Sequence, residues 1–168
     1  KFELGDNTEV VSVEPYGSGH INDTFRLEVK EDGQEKLYIL QRMNKDIFKN
    51  QKELMENILQ VTSFLTDKIK AQGGDPNRET LQVIPTKEGK SYLIEANGDG
   101  WRVYPFITDS LSFDKADTPE AMKKSGYAFG NFQYLLSDFP AEKLHETIPD
   151  FHNTVDRYAK FEQAVQED

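Results

Sequence analysis

Apolar and polar positions along the first hundred residues follow two periods, and each period predicts an element. Glu9-Val10-Val11-Ser12-Val13 is short and β-branched, and Phe25, Leu27 and Val29 alternate with Arg26, Glu28 and Lys30. That period of two marks a half-buried strand. The polar turn Glu31-Asp32-Gly33-Gln34-Glu35 leads into Leu37-Tyr38-Ile39-Leu40-Gln41-Arg42-Met43, which predicts a hairpin of the second and third strands. Leu54, Ile58, Val61, Leu65 and Ile69 then recur at three- and four-residue steps, the apolar stripe of a helix, with Asn50 as N-cap and Gly73-Gly74 as its stop. Strands are expected again at Leu81–Pro85 and Ser91–Glu95, and Asn97-Gly98-Asp99-Gly100 is a tight-turn signal that opens the strand Trp101–Tyr104. Antiparallel hairpins interrupted by one long helix predict an α+β lobe with a five- to six-stranded sheet, not a repeated βαβ unit.

The texture changes after Ile107. Thr108-Asp109-Ser110-Leu111-Ser112 reads as a linker, and Thr118-Pro119-Glu120 as a helix start with Thr as N-cap and Pro at the first helical position. That helix carries Met122, Phe129, Phe132 and Leu136 and ends at Phe139-Pro140, and Val155–Val165 is a final amphipathic stretch. The expected division is a lobe at 1–107, then a linker and the first helices of an incomplete helical lobe at 108–168. Tyr127, Phe129, Phe132 and Tyr134 are expected in a helix core, and His145 and His152 in structural roles. Because the chain begins at Lys1 and stops at Asp168 within a helical pattern, it reads as a fragment. An unfinished second lobe would expose the apolar face of the Pro119–Leu136 helix, and self-association is the expected consequence.

Composition narrows the function classes. The chain has 168 residues with 30 Asp+Glu against 20 Lys+Arg, a net charge of -10, which argues against an extended nucleic-acid footprint. A single nucleotide remains compatible, since backbone N–H groups hold phosphates without net positive charge. The absence of cysteine removes disulfides, thiolate nucleophiles and Cys-based metal sites, and fits a cytoplasmic protein. No apolar run approaches the ~20 residues that span a bilayer.

The segment richest in chemistry is Tyr16-Gly17-Ser18-Gly19-His20-Ile21-Asn22-Asp23-Thr24-Phe25, between two predicted strands. A dinucleotide-binding glycine loop opens a helix, whereas a kinase glycine loop joins its first two strands. Gly17 and Gly19 would let backbone N–H groups approach phosphate oxygens. Three further parts of an ATP site come after it in order: strand three with Gln41 and Arg42, a helix offering Glu53 or Glu56, and the run Trp101–Ile107 ending in a hinge. There the Pro105 carbonyl would accept from an adenine amine and the Ile107 N–H would donate to the ring.

In these segments the chain resembles the N-acetylhexosamine 1-kinases of the aminoglycoside phosphotransferase and choline kinase superfamily. The resemblance extends to Leu54-Met55-Glu56-Asn57-Ile58 and to the distinctive run Asp138–Thr154. It implies a protein-kinase-like ATP-binding lobe and phosphorylation of the anomeric hydroxyl of GlcNAc or GalNAc, with ATP and Mg²⁺, in the salvage of mucin-type sugars. It assigns nucleotide contacts to Gly17, Ser18, Gly19, Asn22, Gln41, Arg42, Glu56, Pro105 and Ile107, and a sugar or phosphate contact to His20. The expected partners are the sugar and the nucleotide, with neither nucleic acid nor membrane.

Two departures qualify the resemblance. Where a kinase carries a lysine on strand three, this chain has Gln41 or Arg42, and alternation alone does not settle which faces the cleft. The catalytic loop of such kinases, His-x-Asp followed by Asn, and the separate metal-binding Asp do not occur, so no catalytic residue and no metal ligand is expected in the chain. Asp150-Phe151-His152-Asn153 has similar letters in another order and reads as a helix entry. A kinase for another small alcohol, such as homoserine, choline or an aminoglycoside, and a non-catalytic nucleotide-binding module are the rival readings.

Overall fold

A computed structural model describes residues 1–113 and 115–167. Among them five strands form one antiparallel sheet: β1 Thr8–Pro15, β2 Asp23–Glu31, β3 Gln34–Met43, β4 Leu93–Ile94 and β5 Gly100–Pro105. Their order across the sheet is β1-β2-β3-β5-β4. Four α-helices accompany it: α1 Gln51–Ala71, the short α2 Pro76–Glu79, α3 Pro119–Leu135 and α4 Thr154–Glu167. The architecture is α+β, and no helix among the described residues is long and apolar enough to cross a membrane.

Local chemistry accounts for the element ends. The β2–β3 turn places Asp32 at φ 48° and Gly33 at φ 84°, the paired positive values of a tight hairpin turn matched to strand twist. Asn50 caps α1 by accepting the Glu53 N–H, and Thr118 caps α3 by accepting from Ala121 N–H with Pro119 behind it. At the other end of α1, Gly73 lies at φ 78°. Gly73 N–H donates to Lys70 C=O and Gly74 N–H to Ile69 C=O, the paired bonds that close a helix through a left-handed residue.

Two expectations about the sheet edge and α1 need correction. The edge strands are shorter than the sequence pattern: only Ile84 of 81–85 bridges β5, opposite Val103, and β4 is two residues pairing with Gly100 and Trp101. The edge beside β5 is thus divided between two pieces. Pro85, with no N–H to donate, ends the first of them, and its carbonyl accepts instead from Glu3 N–H at 2.8 Å. The stripe on α1 is also rotated from Leu54 and Ile58: the residues buried along the helix are Gln51, Met55, Leu65 and Ile69.

Ladder pairing sorts the side chains by face, because residues opposite each other in an antiparallel pair share a side. Met43, Gln41, Arg102 and Tyr104 share the side on which α1 lies, where Gln51 approaches Gly100 and Met55 touches Arg102. The other side carries Leu27, Val29 and Val103, all buried. Glu31 is buried there as well, paired with Lys36 and accepting from Tyr38 Oη at 2.7 Å. Burial alone would raise the Glu31 pKa, but the Lys36 and Tyr38 hydrogen bonds outweigh it and hold the carboxyl below its ordinary value of 4.5. Burial, aided by Glu31, pushes the Tyr38 phenol up to about 12.

The helical segment after 107 is held to α1 at a few points. Leu135 packs on Leu65 and Ile69, Phe139 meets Phe64 edge-on, and Asp138 pairs with Lys68. His145 is clamped by Asn57, which exchanges two hydrogen bonds with its backbone, and by Glu56 at 2.9 Å. Tyr127, Phe129, Phe132 and Tyr134 are exposed rather than in a helix core, since among the described residues of α3 burial is confined to Leu135, where the helix meets α1.

Burial separates two apolar truncations. Ile69→Ala removes a side chain only 2% exposed and is expected to lower unfolding free energy by roughly 2–5 kcal/mol. Phe129→Ala, at a position 69% exposed, should stay within about 0.5 kcal/mol by urea denaturation. The Glu31 carboxyl supplies a second test. Its folded pKa is depressed, so its contribution is complete above the ordinary glutamate range and is lost as pH falls through the depressed value. Between neutral pH and about pH 3 the urea midpoint of Glu31→Gln should therefore fall less than that of the parent.

Candidate functional site

The loop from Gly17 to Asn22 closes the β1–β2 hairpin. Gly17 sits at φ 83°, where a side chain is strained, and open space surrounds the Cβ position of both Gly17 and Gly19. The loop therefore presents bare backbone to solvent, the property that phosphate contact needs. Its two ends are fixed. Tyr16 N–H donates to Thr24 C=O at 2.9 Å, and at the far end Asn22 Oδ1 accepts from Asn44 N–H at 2.9 Å. Asn44 returns a bond from Nδ2 to the Ile21 carbonyl at 2.9 Å. Asn22 is thus a tether between the loop and the end of β3, a role its place beside the glycines does not reveal.

The loop is also drawn to the segment after β5. The ring of Tyr16 packs edge-on against Phe106 with centroids 5.3 Å apart. Phe106 N–H donates to Leu37 C=O, which makes Tyr38 and Pro105 a non-hydrogen-bonded pair. In such a pair the backbone polar groups point away from the partner strand, so the Pro105 carbonyl faces outward from β3. Ile107 is 42% exposed. Beside this segment lies an open groove of about 620 Å³, lined in part by Arg26, Glu28, Leu37, Pro105 and Phe106. A larger cavity of about 820 Å³ lies between α1 and residues 86–94 and includes Glu56; neither cavity is lined by a residue of the glycine loop. Size alone does not mark the site: the smaller groove is the one that meets the segment packed against Tyr16.

The structure decides the orientation of the two strand-three candidates. Gln41 lies on the α1 side of the sheet. Its Nε2 donates to Thr24 Oγ1 at 2.8 Å, and its Oε1 accepts from Arg102 Nε at 3.0 Å and Nη2 at 2.7 Å. Arg42 lies on the opposite side, paired with Asp23 and, at 3.2 Å, with Asp99. Asp23 first, then Asp99, raise the Arg42 pKa, and Lys45 and Arg42 hold the Asp99 carboxyl below its ordinary value against the effect of burial. His20 lines a small polar cavity on that side, with Asp23, Arg42, Lys45 and Asp99. Gln41 and His20 are accordingly not brought together.

Glu56 does not pair with strand three. Its carboxylate bonds His145 at 2.9 Å and lies 3.6 Å from Lys52, so its shown work is to hold the chain around His145 to α1. The α1 residue that faces the strand-three row is Met55, whose Sδ lies 3.7 Å from Arg102 Nη1. Nothing in the sequence singles out Arg102, one charged residue in a strand. Only its burial, at 8% exposure, distinguishes it. No group of three or more His, Asp or Glu side chains among the described residues stands close enough to hold a metal ion.

No model of a known protein family matches this chain.

The loop tether yields a prediction. Asn22→Ala leaves the Asn44 N–H without its acceptor and should cost roughly 1 kcal/mol. Amide exchange measured by mass spectrometry should quicken at Ile21–Asp23 and Asn44, whereas Asn22→Asp, which keeps the acceptor oxygen, should hold exchange near the parent rate.

Proposed function

We propose that this chain is the ATP-gripping part of a small-molecule kinase, a protein-kinase-like lobe that serves phosphorylation of the anomeric hydroxyl of an N-acetylhexosamine. The observation that carries the reading is the contact of Tyr16 with Phe106, which joins a bare glycine loop between two strands to a segment with outward backbone groups. On this reading adenine lies along Pro105–Ile107, bonded by the Pro105 carbonyl and the Ile107 N–H. The phosphates lie under Gly17-Ser18-Gly19, where loop N–H groups meet their charge. The sugar class rests on the resemblance of the glycine loop, strand three, α1 and the Asp138–Thr154 run.

The fit to Mg²⁺ is poor within the chain itself. Among the described residues no three His, Asp or Glu side chains stand close enough to enclose an ion by themselves, so Mg²⁺ would be held mainly by the nucleotide phosphates. The proton acceptor for the sugar hydroxyl is likewise assigned to no residue here. With no His-x-Asp loop followed by Asn in the sequence, the chemistry proposed for the chain is nucleotide binding without turnover, by positioning and electrostatic complementarity.

Isothermal titration with ATP and adenosine tests the reading. The parent should bind ATP saturably, and Gly19→Val, which fills the open space above the loop, should weaken ATP at least about tenfold with an unchanged melting temperature. Absence of saturable ATP binding would sink the reading. Formation of hexosamine 1-phosphate by the 168-residue chain with ATP, Mg²⁺ and GlcNAc would overturn the proposed absence of turnover.

A further inference from the structure

Arg102 is a buried cation with no acidic partner among the described residues. A guanidinium taken out of water normally meets a carboxylate, because desolvating an unpaired charge is costly. Here the partners are the Gln41 amide oxygen, the Met55 sulfur and the face of the Tyr104 ring, 5.3 Å from the guanidinium carbon. None of these carries negative charge. Burial pulls the Arg102 pKa down, and the neighbouring Tyr104, itself pushed up to about 12 by burial, offers only a small opposing effect. A fold that needed only a filler at this position could use an apolar residue. What the guanidinium does is to grip one side of one amide.

That grip has a geometric result. A glutamine amide has two possible orientations, and the fork of Arg102 selects the one in which Oε1 faces β5. Nε2 then faces β2, where one of its two N–H groups meets Thr24 Oγ1. Thr24 is bonded through its carbonyl to Tyr16 N–H, at the base of the glycine loop. The row Thr24–Gln41–Arg102 thus crosses β2, β3 and β5 on one side of the sheet and begins where the loop begins. Its hydrogen bonds run in one sense: Arg102 donates to Gln41, which donates onward, and each bond polarises the next.

We propose that Gln41 and Arg102 act together as the phosphate-recognition pair of this lobe, Gln41 as the donor that meets a nucleotide phosphate and Arg102 as the positioning residue that orients and charges it. The proposal rests on the nucleotide reading above and goes further, replacing the single strand-three lysine with a neutral donor backed by a buried cation on the neighbouring strand. The ligand class is a nucleoside polyphosphate, whose anionic group completes the charge balance that the protein leaves open around Arg102. Arg42, neutralised by Asp23 and Asp99 on the opposite side, takes no part.

Two variants test this, each titrated with ATP and with adenosine, and each checked by thermal melting. Arg102→Met keeps an unbranched chain of similar length against Met55 and removes the charge. Gln41→Glu keeps the shape, gives Arg102 a carboxylate, and turns the donor into an acceptor of like charge to the phosphate, so it should fold even if Arg102→Met does not. Both are expected to lose at least about tenfold in ATP affinity while adenosine affinity stays within about twofold, which collapses the ATP preference of the parent. A merely structural role would weaken both ligands together. A parent that binds ATP, with Gln41→Glu or a folded Arg102→Met retaining the preference for ATP, overturns this inference and leaves the nucleotide reading intact. A parent that binds neither ligand overturns the nucleotide reading, and this inference falls with it.

Discussion

The seat of α1 on the sheet is the constraint on which the rest of this structure depends. Gln51 and Met55 of the helix lie over Gly100 and Arg102 of β5, and Gln51 Nε2 reaches the Gly98 carbonyl at 3.3 Å. A side chain at position 100 would meet the Gln51 amide and the Met43 methyl, so both of these side chains occupy room that glycine leaves. Once the helix lies there, Arg102 is closed off from water and has to find its partners between the sheet and the helix. It finds Gln41, and through Gln41 it is connected to Thr24 and the base of the glycine loop. The same helix anchors the chain beyond residue 107, through Asn57, Glu56, Lys68 and the Leu65–Ile69 patch that receives Leu135.

The two sides of the sheet carry charge in different ways. On the side opposite α1, Arg42, Asp23, Lys45 and Asp99 form a mutually neutralising set at the end of β3, with the β4–β5 turn held by Asn97 and Asp99. Such partly exposed pairs add little to stability, and their main effect is to fix the position of the turn and the loop ends. On the α1 side Arg102 is buried and bonded only to neutral groups.

Much of the fold is legible in the sequence. Period-two alternation marks β2 and β3, the Asp32-Gly33 pair marks their turn, and Asn50, Thr118-Pro119 and Gly73 mark the helix ends. These signals are local: each depends on φ, on a cap or on a neighbour within a few residues. The edge strands and the buried stripe of α1 escape a reading of the sequence for the opposite reason. Their limits are set by partners distant in the chain, and β4 and Ile84 are short because they share one side of β5. Leu54 and Met55 are equally apolar in a sequence, and the angle at which the helix meets β5 decides which of them is buried.

The candidate site divides along the same line. By itself the sequence determined that Gly17 and Gly19 fall between two strands, that the run ending at Pro105–Ile107 leaves the last strand, and that strand three carries Gln41 and Arg42 where a lysine is usual. Residue type and spacing suffice for such statements, because glycine φ and strand period are properties of the chain alone. Only the tertiary structure decided that Gln41 faces the helix, that Asn22 tethers the loop to Asn44, that Glu56 belongs to His145, and that Arg102 is the buried cation behind Gln41. Each of these is a contact across strands or between helix and sheet, and the energy of burying a charge or pairing a donor has no value until the fold has put water on one side and a partner on the other.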